Sequence, residues 1–416
     1  MSDPFLRIAV LYSPLTVAGG GERQMLEEVR WLRRLGHEVT ALTFELSDDL
    51  LAEGIGGEAI EVLPGRGTLG RVLALRRALQ RPFDVLVSHT SPELTWLATR
   101  GGRPPYLLYH NDIPFGAERP NFCAASRRYR RVFRAVRASV AGYSELEPPR
   151  LGLAWPRAEL RTLLRHLALR EARAVIVPSE RSRRELRLLH GIEAAVVRGC
   201  LPSELVAGRL PVASGKELAP PGVAVVLSVC RLAPMKRVDL LIRAFARVRA
   251  SAQGALLLVV GSGSERERLV ALARSLGLEG AVRFAGYVPD DELSRYYGAA
   301  DVFAAPILAD FAIAPYEALA RGCRVVWTTD LESNPALEAS GHILVASPDE
   351  EAFAAAILDA LRAPPAPPAD LRSLTWESRN RRIAELCQDA ARRDGRATRR
   401  HENIGVRDPL EEGTRP

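Results

Sequence analysis

Two successive alternations of short apolar runs and helical patterns, separated by a proline-rich break, constrain this 416-residue chain more than any other feature. In the first half, strand candidates fall at 6–11, 37–44, 59–63, 84–88, 106–109, 174–177 and 194–197. They are rich in Val, Ile and Leu and rarely alternate with polar residues, which suits strands covered on both faces of a parallel sheet. A helix is predicted over 22–35, with Gly36 as its stop. Residues 201–221 interrupt the pattern with Pro202, Pro211, Pro220 and Pro221. The alternation then restarts, with strands at 224–229, 256–260, 282–284, 301–304, 324–327 and 343–345. Helices are predicted at 238–250, 265–276, 290–297, 315–321 and 350–361.

The expected fold class is therefore α/β, with two doubly wound, Rossmann-like domains facing across a cleft. Chain length independently calls for two cores. The boundaries read from sequence are an N-terminal domain at 1–205, a linker at 206–221 and a C-terminal domain at 222–375. A further helix follows at 376–392, then a polar, aperiodic tail at 393–416 that is expected to be disordered. Ligands of such sheets sit beyond the carboxyl ends of the strands, so the cleft is the expected site.

Composition excludes several classes. No apolar run reaches the roughly 18–20 residues a spanning helix needs, and a strand-like segment begins at once, so no signal peptide is read and a cytoplasmic protein is expected. Cys123, Cys200, Cys230, Cys323 and Cys387 are dispersed without a CxxC pair, which argues against a disulfide framework or a zinc site. The formal charge is +7, and the basic residues are 55 arginines and two lysines, Lys216 and Lys236. A lysine retained against such a bias points to a need for a compact point charge.

Three strand-to-helix turns could carry chemistry. Gly19, Gly20 and Gly21, followed by Glu22 and Arg23, open the first predicted helix; glycines let backbone amides approach a ligand, and a helix N-terminus favours anions. Arg231 and Lys236 lie on one loop after the strand at 224–229. Two cations there suit a diphosphate, the fork of Arg taking two oxygens and Lys adding a mobile charge. On an ordinary surface the same pair would be solvated. The third turn runs from Ala309 to Gly322, with Pro315 read as starting a helix. Glu317 is read in its first turn, where a carboxylate either complements the helix dipole or accepts ribose hydroxyls.

Taken in order, these segments resemble the GT-B glycosyltransferases of the large retaining family 4 (group 1). Seven blocks carry the likeness, over roughly residues 6–392. Gly19-Gly20-Gly21-Glu22-Arg23 matches Gly-Gly-Ala-Glu-Arg, Tyr109-His110-Asn111-Asp112 matches a Tyr-His-Thr-Pro loop, and Pro178-Ser179-Glu180 matches Asn-Ser-Glu. Cys230-Arg231-Leu232 through Lys236, followed by Leu241-Ile242-Arg243-Ala244-Phe245, is matched to Gly-Arg-Leu-xxx-Lys and its helix, with Cys230 in the Gly place. The remaining blocks are Val260 to Gly263, Phe284 to Pro289, and Phe311 to Gly322.

The resemblance implies a hexosyltransferase using a nucleotide-sugar co-substrate. Arg231 and Lys236 would neutralise the leaving diphosphate, with no cofactor and no metal required; no Asp-x-Asp occurs. His110 would stand near the reacting sugar. Gly20, Gly21, Gly263, Val288, Asp310, Phe311, Ala312, Ile313 and Glu317 would line the donor site, Glu317 at the ribose and Val288 at the base. The final helix would cross back onto the first domain. Two positions depart from the family: Ala309 replaces the first Glu of Glu-x7-Glu, with Asp310 adjacent, and Ala312 replaces a Gly. These departures keep two other readings open, a GT-B-shaped non-catalytic partner subunit and a nucleotide-sugar epimerase. The Asp310-Phe311-x-Ile313 pattern points toward GDP-mannose.

On the acceptor side, Arg127, Arg128, Arg130, Arg131, Arg134 and Arg137 interleave with Tyr129, Val132, Phe133 and Val136 at helical spacing. A basic amphipathic helix suits an anionic membrane surface and a glycan or lipid-linked acceptor; an ordinary domain helix has the same pattern. No aromatic reading platform accompanies the charge, so nucleic acid is not expected as a partner.

Overall fold

A continuous apolar strand such as Leu256–Val260 points its residues alternately to the two sides of a sheet, and both sides must then be covered. The computed structural model of the protein meets that demand twice. It describes residues 5–16, 19–47, 60–89, 91–101, 104–110, 138, 155–210, 215–332, 334–364 and 369–392. The first sheet contains β1 (Arg7–Leu11), β2 (Glu38–Thr43), β3 (Ile60–Val62), β4 (Val85–Ser88), β5 (Tyr106–Tyr109), β6 (Ala174–Val177) and β7 (Ala195–Val196). Its order is β3-β2-β1-β4-β5-β6-β7. The second contains β8 (Val225–Val229), β9 (Leu256–Val260), β10 (Val282–Gly286), β11 (Val302–Ala305), β12 (Arg324–Thr328) and β13 (Ile343–Ala346), ordered β10-β9-β8-β11-β12-β13. All the pairings are parallel; Ile8 lies opposite Val39 and Val85, and Leu227 opposite Leu258 and Phe303.

Helices cover both faces of each sheet. In the first half they are α1 (Gly20–Arg34), α2 (Gly67–Ala78), α3 (Pro92–Thr99), α4 (Trp155–Glu171), α5 (Glu180–His190) and the single turn α6 (Ser203–Val206). In the second half they are α7 (Val238–Ser251), α8 (Arg266–Ser275), α9 (Asp290–Ala299), α10 (Ile313–Ala320), α11 (Pro335–Ala339) and α12 (Glu350–Arg362), followed by α13 (Trp376–Arg392). Leu256, Leu258 and Val260 pack on one face with Tyr316 and Trp327, while Leu257 and Val259 pack on the other with Phe245 and Phe353. Each fully buried large apolar side chain contributes roughly 1.5–3 kcal/mol, so neither face could be left open to water.

In each sheet the strand order reverses beside the first strand of its half, between β1 and β4 and between β8 and β11. Turns leaving the carboxyl ends of β1 and β8 therefore open into a crevice. The first carries Gly19–Gly21, and the second carries Arg231 and Lys236.

The chain returns to its first half at its end. The Cys200 and Leu201 amides donate to the Leu374 carbonyl, and the Trp376 amide donates to Leu201. Gly199 has φ +153°, and a Cβ there would collide with the Thr375 carbonyl and the Arg379 Cβ, so only glycine permits this crossing. From there α13 lays Ile383, Ala384, Leu386, Cys387 and Ala390 against Met25, Val29 and Leu32 of α1 and against the first sheet. Below it Arg379 and Glu28, both with fully buried side chains, are joined at 3.2 Å. Among the described residues no helix is long and apolar enough to cross a membrane.

Several sequence expectations are corrected. The helix expected at 315–321 begins at Ile313, so Pro315 is its third residue; its missing amide hydrogen falls among the first four N–H groups, which have no intrahelical acceptor. Glu317 is consequently in the second turn rather than the first. Within the 206–221 stretch, Lys216–Leu218 forms a 3₁₀ turn. The arginine-rich segment 127–137, Asn111, Asp112, Cys123 and the 393–416 tail lie outside the described residues.

Candidate active site

The loop from Cys230 to Arg237 is held rigidly from below. The Cys230 amide donates to Val260, the Leu232 amide to Ser262, and the Glu265 amide back to Leu232. Gly261 and Gly263 let the two turns touch: a Cβ on either would run into the carbonyl of Cys230 or of Leu232. Gly263 is thus placed as a support of the Arg231 loop. Arg237 ends the loop with a left-handed φ of 48°, and its buried guanidinium pairs with Asp330.

On this frame Arg231 is exposed and Lys236 half-buried. Among the described residues, neither has a carboxylate within ion-pair distance. Burial pushes the Lys236 ammonium below the ordinary lysine range and Arg231 pushes it the same way, while Cys230 and Asp310 act in the opposite direction. Two like charges held close in a partly desolvated turn are each easier to keep charged when an anion joins them.

Glu317 is buried and doubly bonded. Its Oε1 accepts from Arg23 at 2.9 Å and its Oε2 from the Tyr297 hydroxyl at 2.9 Å. Burial and the Glu317 charge together drive the Tyr297 hydroxyl well above the ordinary tyrosine range, so it stays a donor. Arg23 comes from α1, across the cleft, and also reaches Asp290 at 3.7 Å. Glu317 and Asp290 outweigh burial and raise its pKa further. A Cβ on Gly20 would lie 3.4 Å from Ile313, and one on Gly21 would lie 2.6 Å from the Tyr12 hydroxyl, so the glycine turn sits directly beneath α10. Val288, Phe311, Ala312 and Ile313 pack together against the core that holds Trp327, and Phe311 stacks on Tyr316 at 5.4 Å.

Asp310 is almost fully buried and accepts from Ser182 of α5 at 2.6 Å. Burial pushes its carboxyl up to about 7 against the pull of Ser182 and Arg181. His110 is buried at the end of β5, with its amide donating to Ile176 at 2.8 Å. The structure thus places Gly20 beside Ile313 and Glu317 against Arg23, sets Lys236 within electrostatic reach of Arg231 and Asp310, and packs Val288, Phe311, Ala312 and Ile313 on one core, with Gly21 next to Gly20. Gly263 stands behind the Arg231 loop, and His110 stands on the opposite sheet. Sequence reasoning assigned no role to Tyr297, Arg181 or Ser182, and none to Arg23 beyond the glycine block. Only the pairing of Arg23 with that block gave any signal.

Two family profiles match the chain in tandem: Glycosyltransferase Family 4 over residues 18–198 and Glycosyl transferases group 1 over 212–374. A GDP-mannose-dependent alpha-(1-6)-phosphatidylinositol monomannoside mannosyltransferase of Mycobacterium tuberculosis is 41% identical over 81 residues, which is 20% of this chain and 21% of that protein. The match thus spans about a fifth of that relative's length. A D-inositol 3-phosphate glycosyltransferase of Kineococcus radiotolerans is 29% identical over 324 residues, covering 70% of this chain and 68% of the relative. The solved structure of Anabaena HepE in complex with UDP and glucose superposes with a TM-score of 0.60 at 19% identity, covering 94% of this chain and 100% of that one. That likeness establishes the GT-B fold. With both halves matched in order, the chain belongs to the glycosyltransferase group 1, or family 4, family.

Proposed function

We propose that this protein is a retaining hexosyltransferase that takes mannose from GDP-mannose and passes it to a glycan or lipid-linked acceptor. The observation that carries the reading is the pair Arg231 and Lys236, two cations on one rigid turn at the point where the strand order reverses, with no carboxylate partner among the described residues. A donor diphosphate there would receive the Arg231 fork and the Lys236 ammonium, and its negative charge grows as the glycosidic bond breaks. Cations already in place stabilise that developing charge without reorganising at the moment of reaction. Glu317 would hold the ribose and the 309–313 loop the hexose. His110, at the end of β5, would stand on the acceptor side of the reacting sugar. The GDP-mannose preference is supported by the Asp310-Phe311-x-Ile313 pattern and by the mycobacterial relative; a lipid-linked acceptor is supported by the arginine-rich 127–137 segment.

The test is a thermal-shift panel of GDP, GDP-mannose and UDP-glucose, followed by sugar transfer to candidate acceptors. GDP-mannose is expected to stabilise the protein most, and Lys236→Ala to weaken donor binding by about 10- to 100-fold, as loss of a charge-assisted contact should. Stabilisation by none of these ligands, or unchanged binding in Lys236→Ala, would refute the assignment. Binding without transfer to any acceptor would favour a non-catalytic subunit, and donor turnover without an acceptor would favour an epimerase.

A further inference from the structure

Three consecutive residues at the start of α5, in the N-terminal half, together grip Glu332, the Asp330 and Ala309 carbonyls, and Asp310 of the C-terminal half. The helix opens on Ser179, whose side chain accepts from the Ser182 amide at 2.9 Å. Its first two amides, on Glu180 and Arg181, would otherwise have no acceptor. They donate instead to Oε1 and Oε2 of Glu332, at 2.9 and 3.1 Å, just beyond β12. Arg198 supports the same carboxylate at 3.0 Å. The buried Arg181 guanidinium donates to the Asp330 carbonyl at 2.6 Å and the Ala309 carbonyl at 3.2 Å. Ser182, with no solvent exposure, donates its hydroxyl to Oδ2 of Asp310 at 2.6 Å.

The loop that receives the last two grips runs into α10 and carries Phe311, Ala312 and Ile313. Asp310 is only 4% exposed and its side chain is turned into the contact with α5. The charged and titratable groups that act on it, or on which it acts, are Arg181 and Glu185 from α5, Lys236 from the β8 turn and Tyr109 from β5. Ser182 already occupies one acceptor position of the buried Oδ2.

We propose that Asp310 acts as a positioning residue, tied through Ser182 to α5 with Arg181 holding the adjacent Ala309 carbonyl, so that the donor-sugar loop is set by the approach of the two domains. This assigns Asp310 a part other than the donor-sugar contact expected from its place beside Ala309. It rests on the reading of 309–313 as the hexose wall. In this arrangement the sugar pocket takes its reactive shape only when α5 and the loop are docked. Losing the tie lowers turnover more than donor affinity, because diphosphate and ribose are held elsewhere, by Arg231, Lys236 and Glu317.

The experiment compares Ser182→Ala, Asp310→Ala and the double variant. Segment-resolved hydrogen exchange is read on peptides spanning 179–183 and 306–313, and steady-state transfer is measured with a panel of hexose donors. Each single variant is expected to speed exchange in both peptides, and to lower kcat about 10-fold with donor KM within about 2-fold, the size of one lost buried hydrogen bond. The double variant should lose no more than either single, since one interaction is being removed twice. Preference among hexose donors should not change. Additive losses would overturn the proposal. So would an Asp310→Ala effect on hexose preference that Ser182→Ala does not share, or exchange that changes only in the mutated half. If wild-type protein transfers no sugar, the functional reading fails, while exchange in the two peptides still decides whether the tie exists.

Discussion

Replacing Arg379 by Met tests whether the final helix is held to the first domain by charge as well as by apolar packing. Arg379 is 1% exposed on α13, and Glu28 on α1 is fully buried. The guanidinium donates to Oε2 of Glu28 at 3.2 Å, His89 meets Oε1 at 3.2 Å, and the guanidinium carbon lies 4.8 Å from the Tyr109 ring centre. Despite burial, which acts in the opposite direction, His89 and Arg379 hold the Glu28 carboxyl below the ordinary glutamate range. Methionine approximates the arginine stem in volume, so the loss is chiefly electrostatic. Removing one partner of a buried pair typically costs about 3–5 kcal/mol, and because His89 still meets Glu28 in the variant the loss is expected toward the lower end. For domains of this size each kcal/mol moves Tm by about 2–4 °C, so a drop of about 6–20 °C is expected.

The pH dependence of that deficit has a definite sign. A carboxylate with a depressed folded pKa contributes stability above its unfolded value of 4.5, and that stability is lost as pH falls through the folded value. The Arg379→Met deficit should therefore be larger at pH 8 than at pH 4.5, where Glu28 without its arginine can take up a proton. The double variant Glu28→Met/Arg379→Met should regain part of the loss, because the buried carboxylate is removed together with its arginine while His89 loses its acceptor. Differential scanning fluorimetry across pH measures all three proteins. A single-variant drop below about 2 °C at pH 8, or a double variant no better than the single, would refute the account.

Two further outcomes follow from geometry. Gly263→Ala drives a Cβ into the Leu232 carbonyl and must displace the Arg231 loop; donor binding measured by calorimetry should weaken about 5- to 150-fold while the fold persists, as expected for about 1–3 kcal/mol of strain. Asp310, pushed up to about 7 from an ordinary 3.8, keeps its proton in the folded protein where the unfolded chain has lost it, so it lowers stability as pH rises between those values. The effect reaches up to about 4 kcal/mol, and Asp310→Asn should flatten the stability profile between pH 4 and pH 7 in urea titrations at successive pH values; an unchanged profile would show that other groups dominate.

The sequence by itself determined the fold class and the position of the cationic loop. Runs such as Val302–Ala305 and Leu256–Val260 are apolar at every position, which suits strands buried on both faces, and the helices between strands favour parallel order. Because a strand-to-helix turn is local, the spacing of Arg231 and Lys236 was enough to place both cations on one loop. Tertiary structure alone decided who meets whom across the cleft. Arg23 and Glu317 are 294 residues apart and Glu28 and Arg379 are 351 apart, and no periodicity along the chain records such pairs. Asp310 shows the limit most clearly: beside Ala309 it reads as a sugar ligand, yet its environment is set by Ser182, 128 residues earlier. Secondary structure follows from short-range sterics and patterning, whereas the partner and proton affinity of a buried carboxylate depend on which distant element is docked against it.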